Sequence, residues 1–294
     1  MRRLAWSLAC LPGVASAAGW TQPAGDSYLK LNNRLLVGER GYDRDGRAHD
    51  TGGAFHDWQL QLYGELGLTD RWTLIAFATP VGWARFEDAP ETPPAGRVAR
   101  SAFYVGAVGA GLRRGLSPLG PLHLAAQLTA DAALPVGDAD VGAGRFACEA
   151  PPCDRFRYAP TVARVDADAE VQAGLALPAG FWLSATGGLR VTALADIDPA
   201  LRAAGQLGWS GPLGLVLEAH VQLHHPLGNI DESVISGAGE TAYRGQGLSV
   251  GWWITPAIGL NAGMDGARGV RSNAAAPVRT LGIELRPHLL GATP

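Results

Sequence analysis

Polar and apolar residues alternate along most of this chain. In Trp58-Gln59-Leu60-Gln61-Leu62-Tyr63-Gly64-Glu65-Leu66 the apolar set falls on even positions and the polar set on odd ones. Leu122, Leu124, Ala126, Leu128, Ala130 and Ala132 alternate with His123, Gln127, Thr129 and Asp131. Val165, Ala167, Ala169, Val171, Ala173 and Leu175 alternate with Asp166, Asp168, Glu170 and Gln172, and Leu213 to Leu223 repeats the pattern around Glu218, His220 and Gln222. Successive side chains of a strand point to opposite faces, so period two predicts strands with one apolar and one polar face. About twelve such segments begin near Ser27, Phe55, Trp72, Ser101, Pro121, Pro160, Phe181, Leu201, Leu213, Thr241, Ile258 and Arg279. Each is long enough to cross a bilayer, which takes ~9–11 tilted residues.

The connections alternate as well. Short ones at 68–71, 115–120, 178–180, 210–212 and 255–257 separate longer polar ones at 43–54, 87–100, 137–159, 195–200, 226–240 and 267–278. Short periplasmic turns and longer extracellular loops are the layout of an outer-membrane β-barrel with both ends inside. Trp72, Trp182, Trp209 and Trp252 all lie beside short turns, as an aromatic girdle at the periplasmic interface would. Phe55, Phe103 and Tyr243 form a thinner set at the other rim. The expected fold is therefore all-β: a transmembrane antiparallel up-and-down barrel of about twelve strands. The alternative, a soluble β-sandwich, also alternates, but strand length, loop order and the uncharged apolar face argue against it.

Composition adds compartment and chemistry. Arg2 and Arg3, the apolar run Leu4–Leu11 and Ala15-Ser16-Ala17 read as a signal peptide over residues 1–18, leaving residues 19–294 as a single barrel domain in the Gram-negative outer membrane. No stretch has 18 consecutive apolar residues, so no membrane-spanning helix is expected. The net charge of −3 makes a nucleic-acid partner unexpected. The expected partners are membrane lipid, the assembly machinery and an unidentified small solute, with no cofactor and no metal. Whether residues 19–26 hang free or plug the barrel stays open.

Lys30, Arg34, Glu65, Asp131, Asp166, Asp168, Glu170, Arg190, Glu218, His220, Asp265, Glu284 and Arg286 carry mixed charge on the predicted lumen face. They either set ion preference in a water-filled channel or salt-bridge a packed interior. The like charges of Asp166, Asp168 and Glu170 favour a hydrated lumen with weak cation preference. Cys148 and Cys153 bracket Pro151-Pro152 in the longest outer loop, and an oxidising compartment predicts a disulfide between them. His220 and His224 share a face but lie ~13 Å apart along a strand, too far to chelate one ion unaided.

Enzymatic readings find little support. A lipase needs Ser, His and a carboxylate or amide converging, and His224 with Asn229 and Ser233 lacks the nucleophile elbow. The pairs His49-Asp50 and His56-Asp57 are the material of an outer-rim protease without its paired acids.

Two short motifs carry a resemblance. Gly19-Trp20-Thr21-Gln22-Pro23-Ala24-Gly25 with Tyr28, and Tyr63-Gly64-Glu65-Leu66-Gly67-Leu68-Thr69-Asp70-Arg71-Trp72, resemble the mature start and a hairpin of transporter-like outer-membrane barrels of the phenol-degradation meta-pathway type. The resemblance implies uptake of small, often hydrophobic compounds. Barrels of this class usually end on an aromatic residue; Leu289–Pro294 has none, so the assembly signal is expected internally near Leu285 or in an altered tail. The expected function is a passive outer-membrane channel or transporter. A non-conducting structural or adhesion barrel is the alternative, and an outer-membrane hydrolase the second.

Overall fold

The structure, a computed structural model, describes residues 20–43, 45–88, 99–116, 120–133, 142–145, 155–158, 163–193, 197–228, 234–235, 242–271, 273–274 and 276–287. The segment read as a signal peptide and both loop cysteines lie outside these residues.

Twelve antiparallel strands pair with their sequence neighbours and close on themselves. They are β1 (Ser27–Tyr42), β2 (Ala48–Thr69), β3 (Trp72–Asp88), β4 (Ala99–Tyr104 and Ala107–Gly115), β5 (Leu122–Ala133) and β6 (Arg164–Ala176). The second half comprises β7 (Phe181–Ala193), β8 (Ala200–Ser210), β9 (Leu215–Pro226), β10 (Ala242–Trp253), β11 (Ile258–Arg271) and β12 (Asn273–Ala274 and Val278–Leu285). Closure comes from β1, which pairs β2 on one side and β12 on the other, with Lys30 opposite both Tyr63 and Glu284. Every strand in the wall thus has two partners, which lipid demands because it offers unpaired backbone groups nothing.

Alternation sets the two faces. Leu128, Val171, Val221, Leu248 and Leu281 are each about 60% exposed or more and form an outward apolar belt. Inward neighbours such as Asp131, Asp166, Asp168 and Gln172 are buried. A belt this apolar and exposed is suited to hydrocarbon, not water. Two breaks interrupt the period. The register between β2 and β3 shifts at Leu60/Leu62, opposite Thr79-Pro80, and Val105-Gly106 interrupts β4 at the same height. Pro80 has no N–H to give the ladder, so a bulge is where a strand tolerates it.

Several sequence expectations change. Residues 43–54 are not a long loop: β1 and β2 continue to Tyr42 and Ala48 and are joined by a tight turn. Asp43 forms it, its Oδ1 accepting from Asp45 N (2.9 Å) and Arg47 N (2.8 Å) while its Oδ2 pairs with His49 Nε2 (2.7 Å). The expected loop 267–278 is likewise mostly strand, as β11 runs to Arg271. Within the expected loops 137–159 and 226–240, Gly142–Arg145, Arg155–Tyr158 and Val234–Ile235 pair into a separate three-stranded sheet. It contacts β2 and Asn273–Ala274.

The short-turn rim is built from a repeated device. Leu177-Pro178-Ala179-Gly180 and Gly211-Pro212-Leu213-Gly214 each place a non-glycine residue in the left-handed region, Ala179 at φ 59° and Leu213 at φ 58°. Trp209 Nε1 donates to Ala179 O (3.2 Å) and Trp252 Nε1 to Leu213 O (3.1 Å). Trp72 is also outward, with Arg114 over its ring at 5.5 Å. Trp182 departs from the expected girdle. Its strand neighbours Phe181 and Leu183 face out, so parity turns it into the barrel, where it is 4% exposed. Of the thinner set expected at the other rim, Phe103 faces out, Phe55 is fully buried inside, and Tyr243 stacks on inward His224 at 5.5 Å.

Leu128→Arg on the belt is expected to destabilise the barrel by about 2–4 kcal/mol. Inward Thr129→Ser beside it should change stability little. Urea unfolding in lipid vesicles measures both.

Candidate functional site: the lumen

The inward faces of twelve strands carry mostly polar side chains into a confined interior. Each buried charge therefore needs a partner within the barrel. The structure arranges them in four groups.

The central group is acidic β6 and its neighbours. Register places Asp131 of β5 beside Asp166, and Arg190 of β7 beside Asp168. Arg190 grips Asp168 with both arms of its guanidinium, at 3.0 Å (Nε) and 2.8 Å (NH2), and reaches Asp166 at 3.2 Å and Asp131 at 3.9 Å. Arg164 binds Asp166 at 2.8 Å, and Arg202 contacts Asp168 at 2.9 Å and Glu170 at 3.8 Å. The expected repulsion along Asp166, Asp168 and Glu170 is thus neutralised by three arginines. This removes the basis for cation preference as read from the acidic run alone. Arg164 and Arg202 were not singled out in the sequence, although their parity with Asp166 and with inward Gln206 marks them.

A second group lies at the short-turn mouth. Residues 20–26 do not hang free. They fold into the mouth as a strap against β2 to β5. Gln22 is buried and donates from Nε2 to Glu65 Oε2 (2.7 Å), while its backbone N–H donates to Thr73 Oγ1 (2.9 Å). Arg113 binds Glu65 at 3.0 Å and donates to Trp20 O at 3.0 Å; Trp20 packs on His123. Gly25 N donates to Gly67 O and Gly67 N to Asp26 O, both 2.9 Å. A Cβ at Gly67 would collide with the Pro23 carbonyl, so the strap can lie there only over glycine. The two motifs quoted for the resemblance are therefore in contact, Thr21 also donating to Asp70 O at 2.9 Å. Ordering the strap fills the lumen on one side only.

The third group sits in the long-loop half. Arg34 pairs with fully buried Asp57 at 3.1 Å, and Tyr104 OH donates to the same carboxylate. Beside it Leu36, Phe55, Ala84, Phe86 and Tyr104 form an apolar cluster inside the barrel, also against β1 to β4. Alternation could not mark this cluster, because here the inward positions are apolar.

The fourth group lines β9 to β12 and β1. Lys30 bridges Glu284 at 3.3 Å, Arg286 lies flat over Trp253 at 3.6 Å, and Glu218 contacts His220 at 3.4 Å. His220 on β9 reaches Asp265 on β11 across Gly247 of β10, where any Cβ would clash with both side chains.

The residues considered for hydrolysis are not assembled. His49 is engaged with Asp43, and His56 and Asp57, adjacent on β2, face opposite sides of the wall. Asn229 and Ser233 lie outside the described residues.

Comparison with solved structures gives the fold a context. The chain is similar to the crystal structure of an outer membrane channel from Pseudomonas putida F1, with 12% identity, 92% of this chain and 98% of that one covered, and a TM-score of 0.58. It is also similar to the NanC porin, with 7% identity, 87% and 98% covered, and a TM-score of 0.52. No family model matches the chain, and no curated protein matches it in sequence. At these identities the likeness shows a shared barrel fold.

Gly67→Val is expected to expel the strap and cost about 2 kcal/mol, the worth of the Gln22–Glu65 bond to a buried charge. The checks are equilibrium unfolding and loss of amide-exchange protection confined to residues 20–26.

Proposed function

We propose that this protein is a passive channel for small solutes in the bacterial outer membrane. The carrying observation is the asymmetry of its lumen. The strap and the apolar cluster fill the side formed by β1 to β5. On the opposite wall the inward residues Ala204 and Gln222 remain exposed, next to partly exposed Arg202 and Gln206. A barrel packed solid for structural purposes has no reason to leave one polar wall wet. The similarity to an outer membrane channel and a porin supports this reading, as does the outward belt, in which an apolar groove of about 610 Å³ between Phe181, Trp209 and Leu248 suits lipid acyl chains.

In this reading the chain is exported by its signal peptide and inserted by the outer-membrane assembly machinery, with the short turns periplasmic. A disulfide between Cys148 and Cys153 stiffens the outer loop. The chemistry is diffusion, not catalysis. The finer assignment, hydrophobic solutes of the phenol meta-pathway type, rests on the two motifs alone.

Purified full-length protein in planar bilayers should show a stable unit conductance. A silent bilayer with protein that still shows heat-modifiable gel mobility would sink the channel in favour of a structural barrel. Removing residues 20–25 should raise the unit conductance, because the strap narrows the inner mouth. Arg190→Gln should move the reversal potential toward cation selectivity, since Asp131, Asp166 and Asp168 lose their shared countercharge.

A further inference from the structure

Charge is nearly absent from the outward face of the wall. On β5 to β8 no outward position among the described residues holds a charged side chain. The last strands depart from that rule. On β10, Arg244 and Gln246 share the parity of outward Leu248, and on β12 Arg279 shares that of outward Leu281; both arginines are exposed. Register sets Arg268 of β11 directly opposite Arg244. Like charges facing one another across a ladder repel. The carboxylates of these strands do not answer them. Asp265 and Glu284 face the lumen, where His220 and Lys30 hold them. On β1 the register partner of Arg279 is Leu35, four residues short of Glu39. Neither Arg244 nor Arg279 makes an ion pair among the described residues.

These cations frame a bare patch. Gly266 of β11 has the outward parity of Met264, and a Cβ there would touch nothing within 4 Å. Gln246 lies opposite it on β10, and Arg279 lies opposite Met264 on β12. Toward the short turns the same face is apolar, with Leu248, Met264 and Leu281 all strongly exposed. Height decides what meets the patch. Arg244 lies eight residues along β10 from Trp252 of the short-turn girdle. At a strand rise of ~3.4 Å and a tilt of ~40° that places it about 20 Å above the girdle, near the far edge of an apolar band ~25 Å tall. With the short turns periplasmic, that edge is the outer-leaflet interface. Arginines without a carboxylate partner at a lipid interface are suited to phosphate, which the guanidinium fork can take with two bonds.

We propose that the outward face of β10 to β12 binds one molecule of lipopolysaccharide. Its phosphorylated headgroup lies over Gly266 between Arg244 and Arg279, with the Gln246 amide donating to a headgroup oxygen. Its acyl chains run along Leu248, Met264 and Leu281. The proposal rests on the outer-membrane reading with short turns periplasmic, and is independent of conduction.

The test is native mass spectrometry of the full-length protein released from detergent and titrated with lipid A, the phosphorylated acylated anchor of lipopolysaccharide. Wild type should saturate at one lipid A per barrel in the presence of an equal amount of phosphatidylglycerol. Arg244→Gln and Arg279→Gln should each weaken binding about threefold and the double variant about tenfold, the scale of exposed ion pairs. Arg114→Gln, outward at the opposite rim, should bind as wild type does. Absence of saturable binding by wild type overturns the site. Equal binding of dephosphorylated lipid A overturns phosphate recognition, and equal binding of phosphatidylglycerol overturns the assignment to an outer-leaflet glycolipid. Undiminished binding by the double variant, or an equal loss in Arg114→Gln, overturns the residues. Should the double variant fail the heat-modifiability check, the single variants and the wild-type competition decide. Saturable lipid A binding with a silent bilayer would overturn the channel reading and leave the lipid site standing.

Discussion

Closure of the sheet is the constraint on which everything else depends. In hydrocarbon an unpaired backbone amide has no partner, so β1 must find β12 as well as β2. Once the ring is closed, every strand presents one face to lipid and one to a confined interior. The outward face is then obliged to be apolar. The inward face is polar but cannot count on bulk water, so it must balance its own charges. The arginine-laced carboxylates of β5 to β8 answer that obligation. Among them Arg190 meets Asp168 with two arms of its guanidinium, a geometry that satisfies a buried carboxylate better than a single distant cation.

Closure also explains the glycines of the interior. In a narrow barrel, side chains of strands two apart meet most closely across the strand between them where that strand recedes. Gly247 does this for His220 and Asp265, and Gly67 makes room for the strap. These positions act through the absence of a side chain, so they leave no mark in the hydrophobic pattern.

The faces of the wall were legible because parity is a local property. Nine of the twelve predicted strand starts fall within about two residues of the observed ones, a margin in keeping with the usual uncertainty of element ends. What failed was the reading of features for which neighbours in sequence are not neighbours in space. Trp182 was grouped with Trp209 and Trp252 by its closeness to a turn, yet proximity to a rim does not say which side of the wall a ring occupies. Its parity with Ser184 and Arg190 did say so. Residues 43–54 read as a loop because Gly52, Gly53 and several polar residues obscured the alternation, while the turn itself is set by one carboxylate, Asp43. Two of the three arginines that meet the acidic run, Arg190 and Arg202, lie 22 and 34 residues from Asp168, beyond any local pattern. The strap is the extreme case: residues 20–26 have no period, and their meaning lies in Glu65, Thr73 and Arg113.

The lateral division of the lumen follows from these same contacts. Strap and apolar cluster both lean on the first third of the chain, β1 to β4, one at each end of the barrel. They tie the long first hairpins together where the bulge at Thr79-Pro80 weakens the ladder between β2 and β3. The later strands, β6 to β11, are more regular: their ladders run without the mid-strand shift, and they need no internal filling to hold their register. Filling is therefore placed where the wall is weakest, and free space is left where the wall is self-sufficient. Open interior space and a stable wall would compete for the same lumen in a uniformly built barrel. Here they are separated around its circumference, so the polar wall of β8 and β9 is left open to solvent while the strap and apolar cluster support the opposite side.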